Sequence, residues 1–228
     1  MQLKQALSIV IPTLNAARWL PECLKAVRRE DAGAEIIVAD GGSTDQTLRI
    51  AEATSAKIVS APRGRGVQLA AGISASRHPW LLLLHADTCL ASGWRSAAEA
   101  FMAEPENHER AAYFRFALAS SALEARRIER WVAWRCRRLG LPYGDQGLLI
   151  ARDFLEKLGG MRPLVLMEDV DLVRRIGRKR LKELCVPAVT AAERYEREGW
   201  RLRSLRNMTC LALYFLGVSP RLIARLYE

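Results

Sequence analysis

The chain contains no Cys-x-x-Cys pair. Its five cysteines, Cys23, Cys89, Cys136, Cys185 and Cys210, are odd in number and far apart, which argues against both a disulfide framework and a thiolate zinc site. Unpaired thiols fit a reducing compartment, so a cytoplasmic protein is expected. No apolar run approaches the roughly 18 residues that mark a bilayer span. The short run Leu7 to Ile11 is followed at once by Pro12, Thr13 and Asn15 and lacks the length of a signal-peptide core. Aromatic residues are sparse, 7% of the chain, and do not interleave with the basic residues as in RNA-reading sheets, so no nucleic-acid partner is expected. Where a dinucleotide-dependent oxidoreductase carries G-x-G-x-x-G, the chain reads Pro12-Thr13-Leu14-Asn15. Neither an internal repeat nor a low-complexity linker interrupts the 228 residues.

Basic charge, by contrast, is in surplus: the net charge is +10, and it is unevenly placed. Residues 1–100 hold 11 Lys and Arg against 9 Asp and Glu, whereas residues 101–228 hold 24 against 16. That asymmetry suits a polyanionic partner, whether nucleic acid, a phosphorylated substrate or an anionic membrane face, and does not choose among them. With 50% hydrophobic and 26% charged residues, the composition is that of an ordinary globular domain.

The stretch Leu81 to Thr88, LLLLHADT, organises the rest. Four leucines running into a His-Ala-Asp turn describe a strand covered on both faces that delivers polar groups at its carboxyl end, where α/β sheets bind ligands. Before it, strands are expected at Leu7–Ile11, Glu35–Asp40 and Lys57–Ser60, alternating with helices at Trp19–Arg29, Asp45–Ser55 and Val67–Ala75. Ser43 and Gln46 have capping-box spacing at the start of the second helix. This rhythm predicts a doubly wound α/β sheet. The second half is less regular. Strands are expected at Ala111–Phe116 and Gly147–Ala151, and helices at Ser120–Arg138, Asp153–Leu158, Asp169–Arg175 and Trp200–Leu216. On the long helix Ile128, Trp131, Val132 and Leu139 share a face into which Arg135 intrudes, and the last helix turns apolar on all sides from Met208 to Leu216.

Several residues can do chemistry. Asp40 closes a strand just before Gly41-Gly42, where a ligand can approach the backbone, although a turn aspartate capping its neighbours would look the same. Arg63 and Arg65, interleaved with Gly64 and Gly66, suit a diphosphate, although a merely solvated basic loop would read the same. His85 and Asp87 are alternate residues leaving a buried strand and can face one divalent ion, with His85 also able to serve as a structural hydrogen-bonding group. Glu168-Asp169 forms a second acidic pair at a helix start, where the helix dipole alone would favour carboxylates. Tyr143, Asp145 and Gln146 lie between the two acidic motifs and, with Glu168, are candidate acceptor contacts.

SIVIPTLNAARWL, ADGGSTDQT, HADT and MEDVDL, in that order over about residues 7 to 175, resemble the ordered motifs of glycosyltransferase family 2, inverting enzymes of GT-A fold. The fuller strings GRG, LLLLHADT, YGDQGLLI and PLVLMEDVDLVRRI resemble a small bacterial subgroup. The resemblance implies a mostly parallel mixed sheet with a Rossmann-like nucleotide-binding half and a helical carboxyl-terminal extension. It implies a nucleotide-sugar donor, with a UDP-sugar expected, and a divalent metal, Mn or Mg. Pro12, Thr13, Asn15 and Asp40 would lie near the base and ribose, Gly41 and Ala86 beside the donor, Asp87 on the metal, and Asp169 would be the catalytic base. Three features depart from the family pattern: Ala16-Ala17 follow Asn15, Ala70-Ala71-Gly72 replaces an Arg-Asn-Gly, and His85 replaces the first acid of a DxD motif. The QxxRW signature of processive enzymes is absent, Glu193-Arg194-Tyr195 being at most a remnant, so single-sugar transfer is expected.

One domain is expected over residues 1–228, with 1–105 as the donor half, 106–199 as the acceptor half and 200–228 as a helical segment. A sugar nucleotidyltransferase of the same architecture and a basic binding module without catalysis are the rival readings. The acceptor is an unidentified hydroxyl compound, with a lipid-linked one in view. Arg126, Arg130 and Arg137 on one helix face, and Arg201, Arg203 and Arg206 before Met208–Leu216, raise the expectation of docking at the inner membrane face. The competing expectation is a terminal helix packed on its own sheet or against a second subunit of a homo-oligomer.

Overall fold

The computed structural model describes residues 6–227. Its centre is an eight-stranded mixed sheet in the order β3-β2-β1-β4-β7-β6-β8-β5. The first four are β1 (Leu7–Thr13), β2 (Glu35–Asp40), β3 (Lys57–Ser60) and β4 (Trp80–Leu83), all mutually parallel. Helices α1 (Leu20–Glu30), α2 (Thr47–Ala53) and α3 (Arg65–Ala75) alternate with them. All seven residues of β1 are buried, which is why its sequence is apolar without alternation. Because the four strands run the same way, their carboxyl ends meet at one edge.

Beyond β4 come β5 (Thr88–Leu90), α4 (Trp94–Ala103), β6 (Ala111–Leu118), α5 (Leu123–Leu139), β7 (Leu148–Ala151), α6 (Arg152–Lys157), α7 (Glu168–Ile176) and β8 (Leu181–Thr190). β7 runs antiparallel to β4 with Leu83 opposite Leu148, so the Tyr143–Gly147 turn that feeds β7 arrives beside the His85 turn that leaves β4. β6 pairs antiparallel with β7 and parallel with β8, and Thr190 at the end of β8 faces Thr88 of β5. Helices α8 (Glu193–Glu198), α9 (Trp200–Phe215) and α10 (Pro220–Tyr227) complete the chain. The sheet's core is filled by Trp80, Trp94, Phe114 and the aliphatic side chains of β1, β2 and β4.

Several sequence expectations need correction. Pro12 does not end β1: in a strand with parallel neighbours on both sides, its missing N–H removes one donor, and Pro12 still pairs in register with Ala39. The Ser43/Gln46 capping box does not form. Ser43 turns its hydroxyl to Asp40, and Asp45 receives the Thr47 amide at 2.9 Å. Strands β5 and β8 and helix α4 went unread. β8 has no period-2 alternation and contains Pro187, and its register against β6 slips between Leu184 and Pro187. On α5 the buried residues are Ala125, Val132, Arg135 and Cys136, while Trp131 and Trp134 stack on each other outside, ring centres 4.9 Å apart. All five cysteines are free, as their spacing indicated.

Candidate active site

An open cleft of about 540 Å³ lies at the sheet edge where the parallel strands end. β1 supplies Pro12 and Thr13, the loop into α3 supplies Arg63, Gly64 and Arg65, and the turn after β4 supplies His85, Ala86 and Asp87. The far wall comes from the carboxyl-terminal helices: Arg194, Arg197, Glu198, Arg203, Ala224 and Tyr227.

Other residues chosen from the sequence are close by but perform structural work. Asp40 is buried and accepts hydrogen bonds from Thr13 Oγ1 at 2.9 Å, the Gly42 amide at 2.9 Å, the Ser43 amide at 2.8 Å and the Ser43 hydroxyl. Burial acts to raise its carboxyl, but the Ser43 donors, Thr13 and Gly42 outweigh it and hold it below the usual carboxylate range. The capping alternative is therefore the one observed for Asp40. Asn15, at φ 50°, accepts the Thr44 amide at 2.9 Å and ties the same loop to β1. Neither residue is on the cleft wall, nor are Gly41, Gly66, Asp145 and Gln146, while Tyr143, Glu168 and Asp169 line a small cavity that shares His85 with the cleft. Gly41 backs on to the Gln68 amide, and a Cβ at Gly66 would lie 2.5 Å from the Arg162 carbonyl and 2.6 Å from that of Leu164. Gly66 thus lets α3 pack against the loop before α7. Gln146 is also structural, donating to Phe114 O at 3.0 Å and accepting from Tyr143 N at 3.3 Å.

The remaining candidates converge. Arg65 Nε lies 3.2 Å from Glu168 Oε1, joining the basic loop to the acidic pair of α7. Burial works against the guanidinium charge, yet Glu168, Tyr227, Asp169 and Asp87 keep it firmly protonated. Glu168 is fully buried, and burial pushes its carboxyl up to about 7, with Arg65 opposing and Asp169 adding to the rise. Asp169 Oδ2 accepts the Gly144 amide at 2.8 Å and Oδ1 the Val170 amide at 2.7 Å, which fixes the carboxylate at the start of α7. His85 rests against the same turn: a Cβ at Gly144 would fall 2.3 Å from His85 Nε2. Burial and then Arg65 pull the imidazole down to about 4, against Asp87 and Asp169, so it is neutral near pH 7. Asp145 has its carbonyl held by Thr190 Oγ1 at 3.0 Å, while burial, Asp169 and Asp87 push its carboxyl up to about 6 against Arg135. Tyr143 lies over the Arg135 guanidinium, 3.5 Å from ring centre to Cζ, and borders a small cavity with His85, Glu168 and Asp169.

His85 and Asp87 lie on one cleft wall, and a neutral imidazole beside a carboxylate is a donor pair that manganese accepts, whereas magnesium favours oxygen ligands alone. Among the described residues no group of three or more His, Cys, Asp and Glu converges to hold a metal unaided. Any further ligands to an ion there would have to come from outside these side chains.

Sequence reasoning missed Gln68 and Tyr227, and expected Arg203 at a membrane face where the structure puts it on the cleft wall. Gln68 is buried and donates to Thr13 O at 2.6 Å and Ala39 O at 2.9 Å, clamping the ends of β1 and β2. Arg203 and Tyr227 close the cleft from α9 and α10, with the guanidinium 4.4 Å from the ring centre. No local pattern announces either, because each acts across long sequence separation.

Residues 8–115 match the family model described as Glycosyl transferase family 2. Among curated proteins, a PGL/p-HBAD biosynthesis glycosyltransferase of Mycobacterium bovis is 40% identical over 97 residues, covering 36% of this chain and 36% of that protein. An uncharacterized glycosyltransferase of Mycobacterium tuberculosis is 35% identical over 89 residues, 39% of each. The chain thus spans less than half the length of these relatives. Residues 1–349 of Staphylococcus aureus TarS superpose with a TM-score of 0.64 at 14% identity, covering 98% of this chain and 69% of that one. Glucosyl-3-phosphoglycerate synthase of M. tuberculosis, solved with Mn²⁺, UDP and glucosyl-3-phosphoglycerate, superposes with a TM-score of 0.59 at 20% identity over 80% of this chain and 70% of that one. The fold is therefore GT-A-like, a mixed sheet with helices and a helical carboxyl-terminal region.

Proposed function

We propose that the protein is a glycosyltransferase that moves one sugar from a nucleoside-diphosphate donor, a UDP-sugar, to a hydroxyl acceptor with inversion. The observation that carries this reading is that Arg65, His85 and Asp87 line one cleft while His85 also borders a small adjoining cavity with Glu168 and Asp169, Arg65 pairing with Glu168 between them, in a chain whose residues 8–115 match the family model. The Mn²⁺ and UDP bound by the synthase of similar fold support a metal and a UDP donor.

Arg63 and Arg65 face the cleft and would grip the diphosphate, Arg65 being held in place by Glu168. His85 and Asp87 would hold a divalent ion, which supplies charge neutralisation for the leaving diphosphate. Asp169, anchored by the Gly144 and Val170 amides, takes the acceptor's hydroxyl proton. The acceptor oxygen forms its bond to the anomeric carbon from the face opposite the diphosphate, and the bond to the diphosphate oxygen breaks with its electron pair. One displacement inverts the configuration. Tyr143 and Asp145 flank Asp169 and would orient the acceptor.

Thermal shift against a panel of nucleotide sugars with manganese tests the reading. Stabilisation by one nucleotide sugar, and by its nucleoside diphosphate, is expected. Pyrophosphate exchange with a sugar phosphate and nucleoside triphosphate would instead identify a nucleotidyltransferase.

A further inference from the structure

We propose that α9 and α10 form a docking face for an anionic lipid surface. The inference rests on the outer surface of these helices and is independent of the donor chemistry proposed above.

α9 is apolar on two sides: Cys210, Leu211, Leu213 and Tyr214 in its second half pack inward with Leu166, Met167 and Val170, while a further apolar stripe faces solvent. In its first half polar groups turn inward: Arg203 and Arg206 pair with Glu198 at 3.2 and 2.8 Å, and Asn207 donates to the Tyr195 hydroxyl at 3.2 Å. The solvent-facing stripe comprises Leu202, Leu205, Met208, Phe215 and Leu216, all exposed, Leu205 by 61% and Leu216 by 80%. At 100° per residue these positions span a sector of about 140°, which also contains Arg201. α10 continues the pattern, with exposed Leu222 and Leu226 alternating with Arg221 and Arg225 while Ile223 is buried beneath.

Charge selects the occupant. α9 and α10 together carry five arginines and no acidic residue. A second copy placed face to face would set Arg201, Arg221 and Arg225 against the same arginines with no carboxylate between them, a like-charge arrangement that opposes pairing. An anionic bilayer accepts the leucines at acyl depth and offers phosphate charge to the guanidinium groups. No helix among the described residues is long and apolar enough to cross a membrane, so α9 would lie in the interface plane. This revises the expected anchor. Arg203 and Arg206 are committed to Glu198, and Arg126 on α5 to Glu129 and the Leu118 and Ser120 carbonyls, so that on α9 and α10 the lipid contacts are Arg201, Arg221 and Arg225, while Arg130 and Arg137 lie on α5, outside this face.

Flotation at low salt with phosphatidylglycerol/phosphatidylcholine vesicles, compared with phosphatidylcholine alone, tests this. The wild type should float only with the anionic vesicles. Leu205→Glu with Leu216→Glu should reduce partitioning on the order of 10²-fold, and Arg201→Glu, Arg221→Glu and Arg225→Glu together by roughly the same factor. All five positions are exposed, so unchanged melting temperatures should accompany the losses. Failure of the wild type to float, equal flotation with phosphatidylcholine alone, or variants that float like the wild type would overturn the proposal. So would a wild-type dimer in sedimentation that the paired leucine substitutions render monomeric, which would assign the face to a second copy.

Discussion

Asp169 and Glu168 are adjacent, yet the structure gives them opposite circumstances. Asp169 is fixed by two backbone amides on the cavity side, whereas Glu168 is buried against Arg65. Asp169→Asn should therefore leave donor affinity nearly intact while lowering transfer by about 10² or more, the scale for loss of a general base. Calorimetry beside turnover checks the split, and parallel losses would make Asp169 a donor ligand. Glu168 carries a pH signature. Its folded-state carboxyl sits near 7, above the ordinary 4.5, so its protonated form favours the fold below about pH 4.5 and that contribution disappears as pH rises through about 7. Melting temperatures from pH 5 to 8 should fall more steeply in the wild type than in Glu168→Gln, the difference amounting to at most about 3 kcal/mol. Gly144→Ala should push the His85 ring from its seat and weaken manganese-dependent nucleotide binding roughly 10- to 100-fold, measured with and without the metal. The HADT and MEDVDL residues were legible in the sequence because each motif stands at an element boundary. The capping of Gly42 and Ser43 by Asp40 was legible as an alternative, but its bond from Thr13 and the tie between Asn15 and Thr44 were not, because those partners come together only when β1 and β2 pair.

Among the elements, the parallel half was readable because each of its strands is a short apolar run punctuated by Pro, Gly or a turn sequence. β8 was not, since it is half-exposed and irregular and gains its identity from pairing with β6 and β5. The outward leucines of α9 were likewise hidden, because an apolar run does not say which side meets the protein. A helix also packs through its smallest residue. Gly66 lets α3 approach the Arg162–Leu164 backbone, its amide donating to Leu164 O at 3.0 Å. Gly66→Ala should cost about 1–3 kcal/mol and lower the melting temperature by roughly 2–4 °C per kcal/mol. A thermal melt showing no change would mean that this loop yields freely.

Across the whole molecule, the donor cleft lies between the carboxyl ends of the parallel strands and the arginine-bearing helices that follow β8. The charge surplus of residues 101–228 is thereby divided: Arg194, Arg197 and Arg203 face the cleft, and Arg201, Arg221 and Arg225 face outward. On the proposed reading, the cleft binds a nucleoside diphosphate through a divalent ion on Asp87. Calorimetric titration of UDP, with and without manganese, into the wild type and Asp87→Ala checks this. Manganese should tighten UDP binding in the wild type and have no effect in the variant, whose melting temperature should be unchanged. Equal manganese-dependent tightening in both proteins would place the metal elsewhere and overturn the reading.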